Sequence, residues 1–190
     1  EIVAYVSQIK DLAFKADLDF GNISALREKI ESNPVRVPDA GLAEKMVRLI
    51  QDTRQAGDSL GGIVECAAVG VPAGWGDPVF DRLDALIARA MLAIPATKGI
   101  EIGSGFSSVT MTGSEHNDIF EMQNGKVATK TNRSGGIQGG ISNGMPVTFR
   151  VAFKPTATIS HEQPSVNEKG ESVTLKVKGR HDPCVLPRAV

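Results

Sequence analysis

Aromatic residues and cysteines are scarce in this sequence, and each scarcity excludes something. Only 5% of the 190 residues are Phe, Trp or Tyr, against 41% hydrophobic residues in total, so a core must be built mainly from aliphatic side chains. The two cysteines, Cys66 and Cys184, stand far apart in sequence, which favours reduced thiols over a disulfide. A chain of this length can bury a sizeable core without disulfide support.

The sequence has neither a segment dominated by charges of one sign nor a long apolar run. It contains 21 basic and 22 acidic residues, a formal net charge of -1, with no cluster of Lys and Arg. This balance argues against nucleic acid or an anionic membrane surface as a partner. No run approaches the roughly 18 apolar residues of a transmembrane helix. We therefore predict a protein that binds neither nucleic acid nor a membrane.

Neither end of the sequence carries a recognisable terminal segment. It begins with the strand-like EIVAYV, without an initiator Met or a signal or transit peptide, and it stops shortly after a polar motif. We interpret residues 1–190 as a single partial domain of a longer protein, truncated at both ends.

Hydrophobic patterning predicts an α+β fold with antiparallel sheets and two principal helices. One helix opens at Pro38 and ends near Gly57; a second, capped by Asp77, ends before Pro95. We expect the apolar stripes of both to face the core. Residues 11–33 are charged and weakly patterned. Strands are predicted over residues 2–9, 61–69, 99–102, 107–110, 118–122, 127–131, 146–153 and 171–177.

The glycine-rich segment, residues 131–144 (TNRSGGIQGGISNG), is the most informative part of the sequence. Five of its fourteen residues are glycine and only two are aliphatic, so apolar burial cannot hold it together. Two polar segments follow, residues 154–160 (KPTATIS) and 178–184 (KGRHDPC), each beside a predicted strand. Backbone amides, hydroxyls, one Lys and one Arg together suit an anionic ligand. We favour that role over a plain structural loop.

Other candidate sites have simpler explanations. Residues 103–108 (GSGFSS) begin like a dinucleotide-binding fingerprint but lack its third glycine, which favours a structural turn. The histidines are isolated from one another without the spacing of a zinc site, so we predict no metal. Asp118, close to His116 in sequence, is interpreted as a surface residue. Neither cysteine has a neighbouring base, which argues against a thiol nucleophile.

Arg180 and Asp182 admit two interpretations. Arg180 offers a planar fork suited to phosphate or carboxylate, with Asp182 as an acceptor near the ligand. Alternatively the two side chains balance each other in a structural ion pair. The residues alone leave both possibilities open.

Several of these segments, taken in order, resemble chorismate synthase. The longer matches are residues 94–106 (IPATKGIEIGSGF), 114–118 (SEHND), 131–144, 154–160 and 179–189 (GRHDPCVLPRA). Shorter matches are residues 4–9 (AYVSQI), 38–39 (PD) and 57–62 (GDSLGG). The resemblance covers essentially the whole sequence, which corresponds to the middle and later part of the family's chain.

The resemblance implies a shikimate-pathway lyase that converts 5-enolpyruvylshikimate 3-phosphate to chorismate and phosphate by a 1,4-elimination, with reduced FMN as cofactor. It also implies a β-α-β sandwich and, in the full-length protein, a homotetramer. Carried over by position, the FMN contacts would be Pro95, Ala96, Gly139, Lys154, Pro155, Thr156, Ala157, Thr158 and Arg180. Arg180 would also approach the substrate, and Asp182 would relay a proton near flavin N5.

The sequence departs from the family in what it lacks. The family's amino-terminal portion, with two functional histidines and substrate-binding arginines, has no counterpart, and none of His116, His161 and His181 matches those histidines. We therefore expect the isolated chain to be inactive. A non-catalytic flavin- or phosphate-binding module, or an assembly fragment, is the alternative. We expect a cytoplasmic location, or a plastid one if the source is a photosynthetic eukaryote.

Overall fold

A computed structural model of the chain describes residues 1–15, 19–123, 125–177, 179 and 181–190. Five strands form the main sheet: β1 (Ile2–Ile9), β2 (Leu12–Ala13), β3 (Gly62–Ala68), β4 (Thr97–Ile102) and β9 (Val147–Phe153). Their order is β2-β1-β3-β9-β4, with every neighbouring pair antiparallel. The remaining strands form hairpins, β5–β6 (Phe120–Gln123 and Lys126–Thr129), β7–β8 (Ile137–Gln138 and Ile141–Ser142) and β10–β11 (Gln163–Val166 and Ser172–Leu175).

The helices accompany this antiparallel sheet and confirm the α+β prediction. They are α1 (Ile23–Glu31), α2 (Ala40–Gln55), α3 (Leu83–Leu92), and the short α4 (Gly113–His116) and α5 (Leu186–Ala189). As predicted, α2 begins next to Pro38, where the Asp39 side chain accepts a hydrogen bond of 2.7 Å from the Leu42 N–H. That bond satisfies one of the amides that a helix start leaves unpaired.

The patterning missed α1, which lies within the charged stretch 11–33. Only Ile23, Leu26 and Ile30 of this helix are buried, and the charged residues between them obscure a stripe of three. Its Asn22 side chain accepts a hydrogen bond of 3.1 Å from the Ala25 N–H. Three apolar residues at helical spacing are enough to stabilise this helix once the strands of the main sheet provide a surface against which they pack.

Two further predictions were wrong. Asp77 does not cap α3, which begins at Leu83; instead the Asp77 N–H donates to the Asp81 carbonyl oxygen at 3.0 Å. Residues 107–110 form no strand, because a 3₁₀ helix spans Gly105–Thr110. There the Ser107 hydroxyl donates to the Ser104 carbonyl oxygen at 2.6 Å, and Ser108 bonds Gly105 in the same way at 2.7 Å. Hydroxyls that bond backward along the chain compete with extended pairing.

The core lies on both faces of the main sheet. Val6, Val64 and Val151 stand in register on neighbouring strands and pack with Ala43 and Met46 of α2. The alternate residues Val3, Tyr5 and Ala67 pack instead with α1. Because strand side chains alternate between faces, the two helices cover opposite sides of the sheet. The buried residues are mostly aliphatic, which confirms the prediction from the low aromatic content.

The apolar stripe of α3 departs from this pattern. No residue of α3, all of which lies in the described part of the chain, is fully buried, although Met91 packs against the main core cluster. The core prediction therefore holds for α2 and only partly for α3. Across the described residues, none of the helices is both long and apolar enough to cross a membrane.

Candidate functional site

The predicted site segments 95–96 and 154–158 meet where β9 ends and β4 begins. Lys154 is the first residue after β9, and its N–H donates to the Ala96 carbonyl oxygen at 2.9 Å. Ala96 has a φ of +70°, a left-handed conformation that alanine adopts only at a cost. The antiparallel pairing of Thr97 with Phe153 places their neighbours Ala96 and Lys154 beside each other. A strained backbone at this junction is typical of functional segments.

Thr156 connects this junction to two more segments. Its carbonyl oxygen accepts a hydrogen bond of 2.7 Å from the Ser59 hydroxyl, and its own hydroxyl donates to the Asp182 carbonyl oxygen at 3.0 Å. The Leu60 N–H donates to the Pro183 carbonyl oxygen at 2.7 Å. Four separate parts of the sequence are thereby held at one junction: residues 95–96, 154–156, 59–60 and 182–183.

Gly61 lets these segments approach each other closely. A Cβ at this position would lie 2.5 Å from the Phe153 carbonyl oxygen and 2.9 Å from the Pro155 nitrogen. Neither backbone atom can move aside without shifting the segment that carries Lys154. Gly61 therefore has a steric role at the junction.

A cavity of about 510 Å³ opens at this junction. Its lining includes Pro155 and Phe153 together with Lys10, Asp58 and Ser59. A smaller cavity of about 240 Å³ shares Asp58 and is lined by Arg54, Ser160 and His181 among others. The larger volume lies within the range of about 300–1,000 Å³ that small-molecule sites occupy. Pro155 is the one predicted contact residue in this lining, so most of the cavity wall was missed from the sequence.

The segment 154–158 presents polar groups toward solvent. The Lys154 Nζ donates to the Pro155 carbonyl oxygen at 3.2 Å in an exposed position. Ala157 and Thr158 are also exposed, and Lys154 and Thr156 are half-buried. An ammonium group and two hydroxyls therefore stand on one short segment.

Asp182 lies at the junction but forms a different ion pair from the one weighed in the sequence. Its carboxylate pairs with Arg188, on α5. Arg180, predicted to contact FMN and substrate, lies outside the described residues, so its pairing with Asp182 stays a prediction. His181 between them has a buried Nδ1 with no hydrogen-bond partner among the described residues, whereas its Nε2 lies 3.2 Å from the Val177 carbonyl oxygen. An unpaired buried nitrogen is costly and marks a place where a ligand group or water can bind.

Gly139 lies apart from the other predicted contacts. It occupies the tip of the β7–β8 hairpin, where the Gly140 carbonyl oxygen accepts a hydrogen bond of 2.8 Å from Leu83 at the start of α3. Ala96 follows the opposite end of α3, about 15 Å along the helix axis for a helix of ten residues. Gly139 is exposed with a φ of +62°, and an added Cβ would meet nothing within 4 Å in the described part of the chain.

Gly135 and Gly136 of the glycine-rich segment are buried and packed against protein. A Cβ on Gly135 would lie 2.5 Å from the Gly103 nitrogen, and one on Gly136 would lie 2.6 Å from the Pro146 carbonyl oxygen. The Gly136 N–H donates to the Asn132 side-chain oxygen at 2.7 Å. These glycines permit close backbone packing, which is the structural interpretation that the sequence analysis had placed second. Within this segment Gly139 and Gly144 are the exposed glycines, and a Cβ on Gly144 would lie 3.9 Å from the Ala73 Cβ.

The anion bound by this segment's amides is the protein's own Asp118. One carboxylate oxygen accepts from the Thr131 hydroxyl at 2.6 Å and the Arg133 N–H at 2.8 Å, and the other accepts from the Ser134 N–H at 2.8 Å. Asp118 is 2% exposed, so its interpretation as a surface residue was wrong. Burial alone would raise the pKa of Asp118, but hydrogen bonds from Thr131, Ser134 and Arg133 outweigh it and lower that pKa.

The cysteines and histidines present no reactive cluster. Cys66 and Cys184 are free thiols, as predicted, and burial raises the pKa of the Cys66 thiol to about 11. A thiol with so high a pKa is a poor nucleophile at neutral pH. Among the residues that the structure describes, no three His, Cys, Asp or Glu side chains are grouped to hold a metal ion.

Sequence reasoning missed Ser59, Gly61 and Asp118 for identifiable reasons. Ser59 and Gly61 lie in GDSLGG, a turn-like run whose contact with Thr156 and Pro155 is visible only after folding. Asp118 is separated by 13 residues from Thr131, the nearest in sequence of its hydrogen-bond donors. The available signal in the sequence was the glycine-rich segment itself, because its adjacent amides need a hydrogen-bond acceptor and an acidic side chain can supply one.

The chain is similar to known proteins of one family. The sequence model of chorismate synthase matches residues 1–190. Chorismate synthase from Crocosphaera subtropica is 58% identical over 191 residues, covering 100% of this chain and 52% of the relative. The protein of that name from Opitutus terrae is 55% identical over 190 residues, covering 100% and 51%. A crystal structure of chorismate synthase matches with a TM-score of 0.75 and 35% identity, over 83% of this chain and 50% of that one. The chain spans about half the length of the curated relatives it matches.

Proposed function

Because the chain belongs to the chorismate synthase family, we propose that its full-length protein converts 5-enolpyruvylshikimate 3-phosphate to chorismate and phosphate with reduced FMN. The chain spans about half of the length of its relatives, and we propose that the complete active site includes residues outside residues 1–190. We propose a homotetramer for the assembled protein, as the family resemblance implies. The observation that carries the proposal is the junction of residues 95–96, 154–156 and 182–183 beside one cavity.

The residues present fit a flavin phosphate in size and in chemistry. The cavity of about 510 Å³ and its smaller neighbour of about 240 Å³ share Asp58 in their linings, so they lie next to each other. Lys10 lies in the wall of the larger cavity and Arg54 in the wall of the smaller one, and the half-buried Lys154 precedes Pro155, which also lines the larger cavity. The unpaired His181 Nδ1 offers a further polar contact. Cations and hydroxyls of this kind offset the cost of removing a phosphate from water.

We propose a role for each predicted contact residue on the segments 95–96 and 154–158. Lys154 would bind an anionic oxygen, because its ammonium is held by one carbonyl oxygen in an exposed position. Thr158 would donate its hydroxyl hydrogen, whereas Thr156, whose hydroxyl hydrogen goes to the Asp182 carbonyl oxygen, would hold the segment against residues 182–183. Pro155 and Ala157 would shape the backbone on either side of Thr156. Pro95 and Ala96 would contact the flavin beside Lys154, since the Lys154 N–H donates to the Ala96 carbonyl oxygen. When bound, reduced FMN supplies an electron-rich ring near the phosphate that leaves.

The elimination also requires stabilisation of the departing phosphate and removal of a proton. Preorganised cations stabilise negative charge that develops on a leaving group. Arg180, outside the described residues, would contribute a two-pronged donor for flavin and substrate anions. Asp182 would relay the proton, with its orientation set by Arg188 and by the Thr156 bond to its backbone. Gly139 would contact the flavin from the β7–β8 turn.

Anaerobic assays of the full-length protein test this proposal. With reduced FMN and 5-enolpyruvylshikimate 3-phosphate we expect chorismate, detected by its ultraviolet absorbance. Lys154→Gln should weaken FMN binding by about 10- to 100-fold, since charge-assisted hydrogen bonds are worth about 1.5–3 kcal/mol. Lys169→Gln, in the turn of the β10–β11 hairpin, is the matched control and should bind normally. Flavin binding without chorismate formation would favour the non-catalytic module instead.

A further inference from the structure

The strongest unassigned feature is the connection from Asp118 to the tip of the β7–β8 hairpin. Asp118 binds Thr131, Arg133 and Ser134 through the three hydrogen bonds described above. Buried carboxylates are stable only when donors replace the lost water. The first four residues of the glycine-rich segment are therefore held by this one side chain.

The constraint extends along the segment toward Gly139. Asn132, within the turn that Asp118 holds, accepts from the Gly136 N–H through its side chain and from the Gly135 N–H through its carbonyl oxygen, at 2.7 and 3.1 Å. The Gly136 carbonyl oxygen in turn accepts from the Asn143 N–H at 3.0 Å. Gly136 and Asn143 flank the β7–β8 hairpin, so these bonds close its base. Gly139 stands at the tip.

A second set of contacts holds the same segment from the other side. The Arg133 carbonyl oxygen accepts from the Ser104 N–H at 2.7 Å, and the Ser104 hydroxyl lies 2.9 Å from His116 Nε2. His116 and Asp118 both belong to the segment SEHND. Gly135 packs so closely on Gly103 that even a methyl group would clash. Close packing of this kind leaves the turn one well-fitting position, and Asp118 binds the Arg133 and Ser134 amides in that position.

We propose that Asp118 is a positioning residue, which fixes the β7–β8 turn so that Gly139 meets the flavin. The inference rests on the proposed function, because the contact of Gly139 with FMN is itself proposed there. Gly139 has an exposed, open backbone position that a ligand can approach, in contrast to the packed Gly135 and Gly136. The precision with which Gly139 is placed against a ligand depends on the residues that hold the turn around it.

The test compares Asp118→Asn with Asp39→Asn in the full-length protein. Asp39 is a matched control, because its carboxylate also accepts a backbone N–H at 2.7 Å, but at the start of α2. In Asp118→Asn the new NH₂ group must face a donor, either the Ser134 N–H or the pair from Thr131 and Arg133. We expect both variants to lower the melting temperature, and only Asp118→Asn to weaken FMN binding, by about tenfold or more.

Two readouts separate positioning from general stability. FMN affinity is measured per folded molecule by fluorescence titration, and hydrogen exchange at Gly139 and Gly140 should accelerate in Asp118→Asn alone. If Asp118→Asn does not fold, Thr131→Val removes one donor to the carboxylate and should weaken binding less. Unchanged affinity in the folded variant, or equal loss in Asp39→Asn, would overturn the positioning role. If the unsubstituted protein fails to bind FMN, the proposed function falls, and the inference with it.

Discussion

The Lys154 N–H donates a 2.9 Å hydrogen bond to the carbonyl oxygen of Ala96, joining the residue after β9 to the residue before β4. The bond is backbone to backbone, so it does not depend on either side chain. It holds two segments of the proposed flavin site at one end of the sheet. Its geometry depends on the left-handed conformation of Ala96, with a φ of +70°.

Ala96→Val should therefore destabilise the protein and disturb the junction. A β-branched residue at positive φ costs about 1–3 kcal/mol. Ala93→Val adds the same methyl groups at a φ of -74° in an exposed position and should change the free energy of unfolding much less. Urea unfolding of both variants measures the difference. Equal stability of the two would show that the backbone of Ala96 is not constrained.

Gly61→Ala should be far more harmful than Gly99→Ala. The added Cβ would lie 2.5 Å from the Phe153 carbonyl oxygen at position 61 but 3.8 Å from the Ala152 Cβ at position 99. We expect Gly61→Ala to lose about 1–3 kcal/mol of stability and to weaken FMN binding, because the segment carrying Lys154 must shift. Thermal unfolding and flavin titration of both variants check this. Normal flavin affinity in Gly61→Ala would separate the junction from the flavin site.

Asp182→Asn should lower turnover without weakening FMN binding, because the amide keeps the shape and loses the base. The competing explanation is a structural pair with Arg188. On that explanation Arg188→Ala and Asp182→Asn would lower the melting temperature alike, and turnover per folded molecule would stay nearly normal. Steady-state kinetics beside melting curves decide between them. Arg188→Ala removes only the partner that orients Asp182, so we expect it to lower turnover less than Asp182→Asn does.

Stability should fall as the pH rises from about 9 toward 11, in part through Cys66. Burial raises the pKa of this thiol to about 11 from an ordinary value of 9.0. The unfolded state therefore loses its proton at lower pH than the folded state, and alkaline pH favours unfolding. At pH 10 the raised pKa of Cys66 lowers the free energy of unfolding by about 1 kcal/mol. Cys66→Ala should remove it, so the stability difference between the two proteins must change with pH; a constant difference would contradict the assignment.

Much of the fold was predictable from local patterns. The boundaries of β1 and α2 follow from alternation and from Pro38 and Asp39, because these signals lie within the elements themselves. The helix α1 was missed because its three buried residues need strands β1 and β3 to pack against. The 3₁₀ helix Gly105–Thr110 was missed because hydroxyl bonds to nearby carbonyl oxygens override an apparently extended pattern.

Of the candidate site, the sequence by itself determined which chemical groups were available. The glycines of 131–144, Lys154 and the hydroxyls after it were visible as polar segments beside strands, and their family resemblance followed from their order. Only the tertiary structure decided which of them meet: Ala96, Thr156 and Asp182 join through long-range hydrogen bonds, whereas Gly139 lies at the other end of α3. It also decided that Asp118 accepts hydrogen bonds from the Arg133 and Ser134 amides of the glycine-rich segment. The physical reason is that a sequence lists donors and acceptors, while hydrogen bonding and packing between distant segments select the pairs.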